Sequence, residues 1–364
     1  EQIGHFEFLL AGFPCQPFSF AGKQRGFGDT RGTLFYEIER ILTAYKPKAF
    51  LLENVRGLTS HDNGRTFKTI INALEKIGYG VTYLLLNSSN FGVPQNRVRI
   101  YILGLWGKVP RMTLASDKGS ADSHRFKANL QQQSLFGDTE YRVVKDILEK
   151  GVDERYYCTE VFTEQLRSFV GADLGLLAGM RLIDYRNGQS IHSWELGIKG
   201  KCTDEECELM NELVRNRRRK SFGAEQDGKR LSIEQIQTFY NRVNMLETIA
   251  SLEKKGYIKA VGGKYNPVAG NMSFEVYKFL DPESVSLTLV SSDAHKLGVV
   301  VNGKARRITP REAARIQGFP DTFVIHPTDE SAYKQFGNAV SVPVVKAILT
   351  DFMRNNVADM RGDN

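Results

Sequence analysis

The sequence predicts an α/β protein in which a doubly wound, Rossmann-like sheet is followed by a smaller second domain. Three observations carry that expectation. Short apolar runs alternate with amphipathic stretches through the first hundred residues, chemistry-bearing side chains stand where apolar runs end, and from about residue 159 the chain changes to a polar, basic character. Apolar runs bounded by turn signals read as strands buried on both faces, and strands alternating with helical patterns read as a sheet layered with helices.

The first strand is expected in Phe6-Glu7-Phe8-Leu9-Leu10-Ala11, which leads straight into Gly12-Phe13-Pro14-Cys15-Gln16-Pro17. Residues 33–45 place apolar side chains at helical spacing until Lys46-Pro47 ends the run. Ala49-Phe50-Leu51-Leu52 reads as a buried strand that stops at Glu53-Asn54-Val55, and residues 66–77 read as a helix closed by Gly78. Two more strands, 81–86 and 98–103, flank the loop Asn90-Phe91-Gly92-Val93-Pro94-Gln95. Residues 110–140 are polar and turn-rich and read as a connecting loop, with a helix expected near 143–149. Ligands of such a sheet gather at the carboxyl ends of strands, where Cys15 and Glu53 both fall.

The expected domains are residues 1–158, a second domain over 159–324, and a segment 325–364 that returns to the first. The middle region holds the densest basic run, Arg215-Asn216-Arg217-Arg218-Arg219-Lys220. By itself that run reads first as a solvated helix face. Residues 232–239 and 244–255 read as paired helices, followed by Gly256-Tyr257-Ile258-Lys259-Ala260-Val261 and a Gly-Gly turn. Helix-turn-helix with a trailing hairpin can present a helix to the major groove, and the same pattern can simply pack a core.

The chain has 364 residues, 41% of them hydrophobic, enough for one large core and a second lobe. Lys and Arg outnumber Asp and Glu by 49 to 42, and the net charge of +7 leans towards a polyanionic partner. No membrane span is expected, since no apolar run approaches the roughly 20 residues one needs; the expectation is a cytoplasmic, soluble protein. Cysteines at 15, 158, 202 and 207 fit neither a disulfide framework nor a metal site. They read as reduced thiols, and no metal is expected.

Prolines on either side of Cys15-Gln16 restrict the backbone and can hold a thiol rigidly towards a cleft. A lone cysteine after an apolar strand is more often an inert buried residue. Glu53 can donate a proton from a dry pocket, or cap the next turn. Alternation along a strand puts Arg97 and Arg99 on one side, where they can hold a carbonyl, orient the carboxyl group or bind phosphate; paired strand arginines are also common surface charges.

Taken together, Gly12-Phe13-Pro14-Cys15-Gln16-Pro17-Phe18-Ser19, Glu53-Asn54-Val55, Gln95-Asn96-Arg97-Val98-Arg99, Arg307-Ile308-Thr309-Pro310-Arg311-Glu312-Ala313-Ala314-Arg315-Ile316-Gln317-Gly318-Phe319-Pro320 and Gln335-Phe336-Gly337-Asn338-Ala339-Val340-Ser341-Val342-Pro343 resemble the DNA cytosine-C5 methyltransferases. The resemblance brackets residues 8–105 and 298–353. It implies an S-adenosylmethionine-dependent methyltransferase domain, with the interval between as a target-recognition domain, acting on a flipped cytosine in double-stranded DNA. By it Cys15 is the nucleophile towards C6, Glu53 contacts N3 and the amino group, and Arg99 contacts the carbonyl with Arg97 in support. Phe13 and Pro14 line the base pocket with Asn54 beside Glu53, and Gln16 and Ser19 lie near the DNA. Pro14, Leu34, Asn338, Ala339 and Val340 match positions that contact S-adenosylmethionine. A bacterial restriction-modification setting, with a cognate endonuclease, is implied.

One departure from the family pattern is plain. Its opening strand and glycine-rich cofactor loop are missing ahead of Cys15, so a fragment of a longer protein, or a second polypeptide that completes the cofactor pocket, is expected. Two rival readings remain at this point. One is an RNA cytosine-5 methyltransferase, against which the long basic middle region argues. The other is a catalytically silent DNA-binding subunit, against which the joint presence of Cys15, Glu53 and Arg99 argues.

Overall fold

The computed structural model describes residues 4–13, 33–117, 142–184, 190–223, 230–270 and 273–361. Its contacts divide the chain into two compact units, the first made of Glu1–Val143, Arg315–Pro320 and Ala339–Asn364, the second of Val144–Ala314 and Asp321–Asn338.

Unit one is built from β1 (Phe8–Gly12), α1 (Thr33–Tyr45), β2 (Ala49–Val55), α2 (Arg65–Lys76), β3 (Tyr79–Asn87) and β4 (Val98–Trp106). Helix α1 stops where Lys46 takes a left-handed φ of 43° ahead of Pro47, a residue that disfavours helix in its predecessor. The sheet order is β1-β2-β4-β3. β1 pairs parallel with β2, and β4, antiparallel to both its neighbours, is the one reversed strand of the four. The doubly wound expectation is therefore corrected in one respect. The sheet is mixed, because β3 and β4 are joined by a short excursion that never crosses a face of the sheet, and such a link can only reverse the strand.

Helices nonetheless cover both faces. Along β2 and β4 the side chains alternate with a period of two: Phe50, Leu52, Ile100 and Ile102 pack on Phe35, Ile38 and Leu42 of α1 and on Ile70 and Leu74 of α2. Leu51, Tyr101, Leu103 and Leu105 point the other way, onto Val344, Ala347, Ile348 and Phe352 of the C-terminal helix Val342–Arg361. Each such side chain contributes about 1.5–3 kcal/mol by leaving water. The stretch Asp329–Arg361 has the length and hydropathy of a membrane span, which the sequence reading did not anticipate. Its apolar residues from Val344 to Phe352 are spent on the sheet, and it breaks between Asn338 and Val342.

Unit two contains α3 (Glu160–Val170), β5 (Arg181–Leu182), β6 (Ser190–Ile191), α4 (Asp204–Asn216), α5 (Ile233–Gln237), α6 (Met245–Lys254), β7 (Ile258–Val261), β8 (Lys264–Pro267), β9 (Lys278–Phe279), β10 (Leu297–Val301) and β11 (Lys304–Arg307). Helix α7 (Pro310–Ile316) begins in this unit, and α8 (Asp329–Asn338) belongs to it. The five-stranded sheet β11-β10-β9-β5-β6 packs on α3 through Phe162, Leu166, Leu182, Ile191 and Phe279. A separate core joins α4, α5, α6 and the β7–β8 hairpin through Leu209, Leu213, Ile236, Ile249, Leu252 and Ile258. The helix expected near 143–149 is only a 3-10 turn, Val144–Ile147, with Val144 and Ile147 buried.

The sequence around Thr309 has a mechanical role. Thr309 caps α7, its hydroxyl accepting from the Glu312 amide at 3.1 Å while Glu312 Oε2 accepts from the Thr309 amide at 2.8 Å. The same carboxylate takes a bidentate pair from Arg306, 2.6 and 2.8 Å long, with both side chains essentially out of solvent.

Candidate active site

The parallel pairing of β1 with β2 sets Gly12 opposite Glu53, so both strands end at one edge of the sheet. The antiparallel course of β4 brings its first residues to that same edge, with Arg99 opposite Val55 and Tyr101 opposite Glu53. Glu53 and Arg99 are thus diagonal neighbours on one face. Arg99 Nε donates to Glu53 Oε1 at 3.0 Å, and the two side chains keep only 13% and 18% of their exposure. The pairing of the reversed β4 with β2, which the sequence reading did not anticipate, is what makes this pair.

Burial pushes the Glu53 carboxyl above its ordinary range, against the opposing pull of Arg99 and then Arg97. The arginines answer in kind. Burial together with the like charge of Arg99 lowers Arg97 to about 10, and burial lowers Arg99. A carboxyl group that holds its proton more firmly than usual, steered by a guanidinium, is suited to donate a hydrogen bond or a proton to a ring nitrogen.

Asn54 points the other way along β2. Its Nδ2 donates to the Phe13 carbonyl at 2.9 Å and its Oδ1 accepts from the Val55 amide at 2.8 Å, while the Phe13 amide donates to the Glu53 carbonyl at 3.4 Å. These bonds fix the chain as it leaves β1. Phe13 is buried against Phe35, with ring centroids 5.8 Å apart. Cys15, Pro14, Gln16 and Ser19 lie outside the described residues; the sequence reaches Cys15 two residues beyond Phe13.

Arg97 sits just before β4 and is 3% exposed. Its Nη2 donates to the Ala339 carbonyl at 2.9 Å, and Gln317 Nε2 donates to the same oxygen at 3.3 Å. Gln95 in turn donates to Gln317 Oε1 at 3.0 Å and to the Ile316 carbonyl at 3.1 Å, and the Val342 amide donates to the Gln317 carbonyl at 3.0 Å. The backbone around Ala339 and Val340 is therefore held by a buried amide and guanidinium network. Sequence reasoning gave Gln95 and Gln317 no role, although both stood inside blocks singled out for other residues. Asn87 was missed altogether: its Oδ1 accepts from the Arg97 amide at 2.9 Å, and no motif marks it.

Of the remaining residues matched to a cofactor, Leu34 is 47% exposed in the first turn of α1. Asn338 is exposed at the end of α8, while Ala339 and Val340 are half-buried. Among the described residues no cluster of three or more His, Cys, Asp or Glu side chains could hold a metal ion.

The strand ends of this α/β sheet thus bring a buried carboxyl group and its arginine together. The model of the C-5 cytosine-specific DNA methylases matches residues 1–354, and the chain belongs to that family. It is similar to the Type II methyltransferase M.BanI of Aneurinibacillus aneurinilyticus, 63% identical over 357 residues that cover 98% of this chain and 83% of the relative. The Type II methyltransferase M.HgiCI of Herpetosiphon aurantiacus is 62% identical over 355 residues, covering 98% and 84%. Among solved structures, the S. pombe Dnmt2 methyltransferase aligns at 17% identity with a TM-score of 0.46, over 96% of this chain and 78% of that one.

Proposed function

We propose that this chain methylates C5 of a cytosine flipped out of duplex DNA, within a bacterial restriction-modification system as the names of its relatives suggest, with S-adenosylmethionine as donor. The observation that carries the reading is the Glu53–Arg99 pair at the end of β2, beside the strand that leads to Cys15.

C5 of cytosine is a poor nucleophile, so the Cys15 thiolate adds to C6 and drives electron density towards C5. Glu53 supports that addition by giving a hydrogen bond or proton to N3, for which its raised carboxyl pKa is apt. Arg99 keeps the carboxyl group aimed and offers its remaining donors to the base carbonyl. Phe13 and Pro14 line the pocket, the Phe13 carbonyl held by Asn54, and Gln16 and Ser19 face the DNA strand. Arg97 acts through the Ala339 carbonyl. S-adenosylmethionine, when bound, supplies an electrophilic methyl group. Pro14, Leu34, Asn338, Ala339 and Val340 would hold it: the exposed apolar Leu34 suits a flat ring, and the braced backbone at 339–340 suits a fixed wall. Loss of the C5 proton and release of the thiolate then restore the ring.

The reading takes residues 159–324 as the target-recognition domain and 1–158 with 325–364 as the catalytic domain. It places the protein in the cytoplasm alongside a cognate endonuclease. The chemistry as read has no need of a metal ion. Duplex DNA carrying 5-fluorocytosine at the target, incubated with donor and the complete protein, should be trapped as a covalent adduct that Cys15→Ala abolishes. An adduct of equal yield in the variant would remove Cys15 from the mechanism.

A further inference from the structure

Within unit two, α4, α5, α6 and the β7–β8 hairpin share their own core. Leu231, between α4 and α5, exchanges both backbone hydrogen bonds with Tyr265 of β8, at 2.9 and 2.8 Å, and so adds a third extended segment to the hairpin. The hairpin turns on Gly262 and Gly263, with φ of 60° and 70°, the left-handed pair that a two-residue turn demands. Helix, extended segment, helix, helix and a two-stranded wing follow one another in the order of a winged helix-turn-helix, an architecture that seats on duplex nucleic acid.

Charge decides which surface does so. Helix α6 exposes Leu246, Glu247, Ala250 and Glu253, with Lys254 the one exposed cation, at its C-terminal end, and Glu253 is engaged with the Ala260 amide at 3.2 Å. Carboxylates there repel phosphate. The wing is different. Ile258 and Pro267 are buried and Tyr265 packs on the core, so the alternating Lys259 and Lys264 stand on the outer side, both exposed. Arg230, exposed next to buried Leu231, joins them. Segments 230–232, 258–261 and 264–267 carry no carboxylate at all. Exposed Arg218, Arg219 and Lys220, just past the end of α4, add positive charge to the same small body.

We propose that this embedded winged helix grips duplex DNA by its wing, Arg230, Lys259 and Lys264 lying along the sugar–phosphate backbone, while α6 stays out of the major groove. The assignment rests on duplex DNA being the substrate and adds the surface that holds it. The full chain is titrated against a fluorescently labelled duplex over a series of salt concentrations, with thermal midpoints confirming that each variant is folded. Replacing Arg230, Lys259 and Lys264 together by Gln should weaken binding about 10- to 100-fold and make the slope of log K against log salt shallower by about two to three. Lys264→Gln alone should remove about one. Leu246→Ala with Glu247→Ala should leave affinity within about twofold, since neither side chain meets a phosphate. If the wild type fails to bind duplex at all, the DNA reading falls and the wing with it. If the wild type binds and the triple variant matches it, or loses affinity with an unchanged slope, the wing alone is wrong; collapse of binding in the α6 variant would hand the role to that helix.

Discussion

Glu53 is held between two opposing effects, burial that favours its neutral form and an arginine 3.0 Å away that favours the charged one, and burial prevails. Arg99→Met should therefore push the carboxyl group still higher, a shift visible as a growing protonated-carboxyl infrared band at neutral pH that Glu53→Gln erases. Glu53→Gln itself keeps the shape but not the acid, and methyl transfer should fall by about 10²–10⁴ with duplex affinity nearly unchanged; activity within a factor of two of wild type would remove Glu53 from the chemistry. Asp117 gives a second, structural test. Burial raises its carboxyl to about 6 although it accepts from the Asn87 amide at 2.6 Å. The unfolded chain releases that proton near pH 4 and the folded chain near pH 6, so stability is greatest below the window and declines as pH rises through it. The loss amounts to about 2–3 kcal/mol, and Asp117→Asn should flatten it in denaturant midpoints taken from pH 4 to 7.

At the scale of elements, the block from Arg306 to Glu312 is a joint rather than a reagent. Glu312→Gln leaves Arg306 buried without its counter-charge, and a loss of about 3–5 kcal/mol is expected in equilibrium unfolding, whereas Glu37, in an exposed pair with Arg40, can be replaced for less than about 1 kcal/mol. Gly318 is constrained twice: its φ is 78°, and an added Cβ would lie 2.4 Å from Pro343 Cδ and 2.9 Å from Val93 Cγ1. Gly318→Ala should cost at least about 2 kcal/mol and loosen the backbone at 339–340. Several elements were legible in the sequence. Helix α1 matches its apolar spacing residue for residue, and the 232–255 pair with its Gly-Gly hairpin emerges as α5, α6, β7 and β8. Those signals are local, a period or a turn. The shortness of the 88–97 link favours a reversal, but nothing local announced that β4 would pair with β2 and so deliver Arg99 to Glu53. The Gln95–Gln317 contact spans 222 positions and leaves no trace in either neighbourhood.

At the scale of the whole molecule, the sequence suggested a middle region inserted between two parts of one domain, and contacts trace a finer weave. The chain passes from one unit to the other after Val143, Ala314, Pro320 and Asn338. Unit two consequently depends on a short return, Asp321–Asn338, whose Tyr333 hydroxyl donates to the Ile308 carbonyl at 2.5 Å and whose Gly337 lies so near Ser291 that a Cβ would meet its amide at 2.4 Å. Helix α8 supplies buried Ala332, Tyr333 and Phe336 to that unit. The weave has a bearing on heredity. A recombination event that swaps one continuous stretch, 144–314, between two relatives would marry a body from one parent to a buried helix from the other. Exchange of whatever this unit specifies should breed true only when 321–338 travels with it.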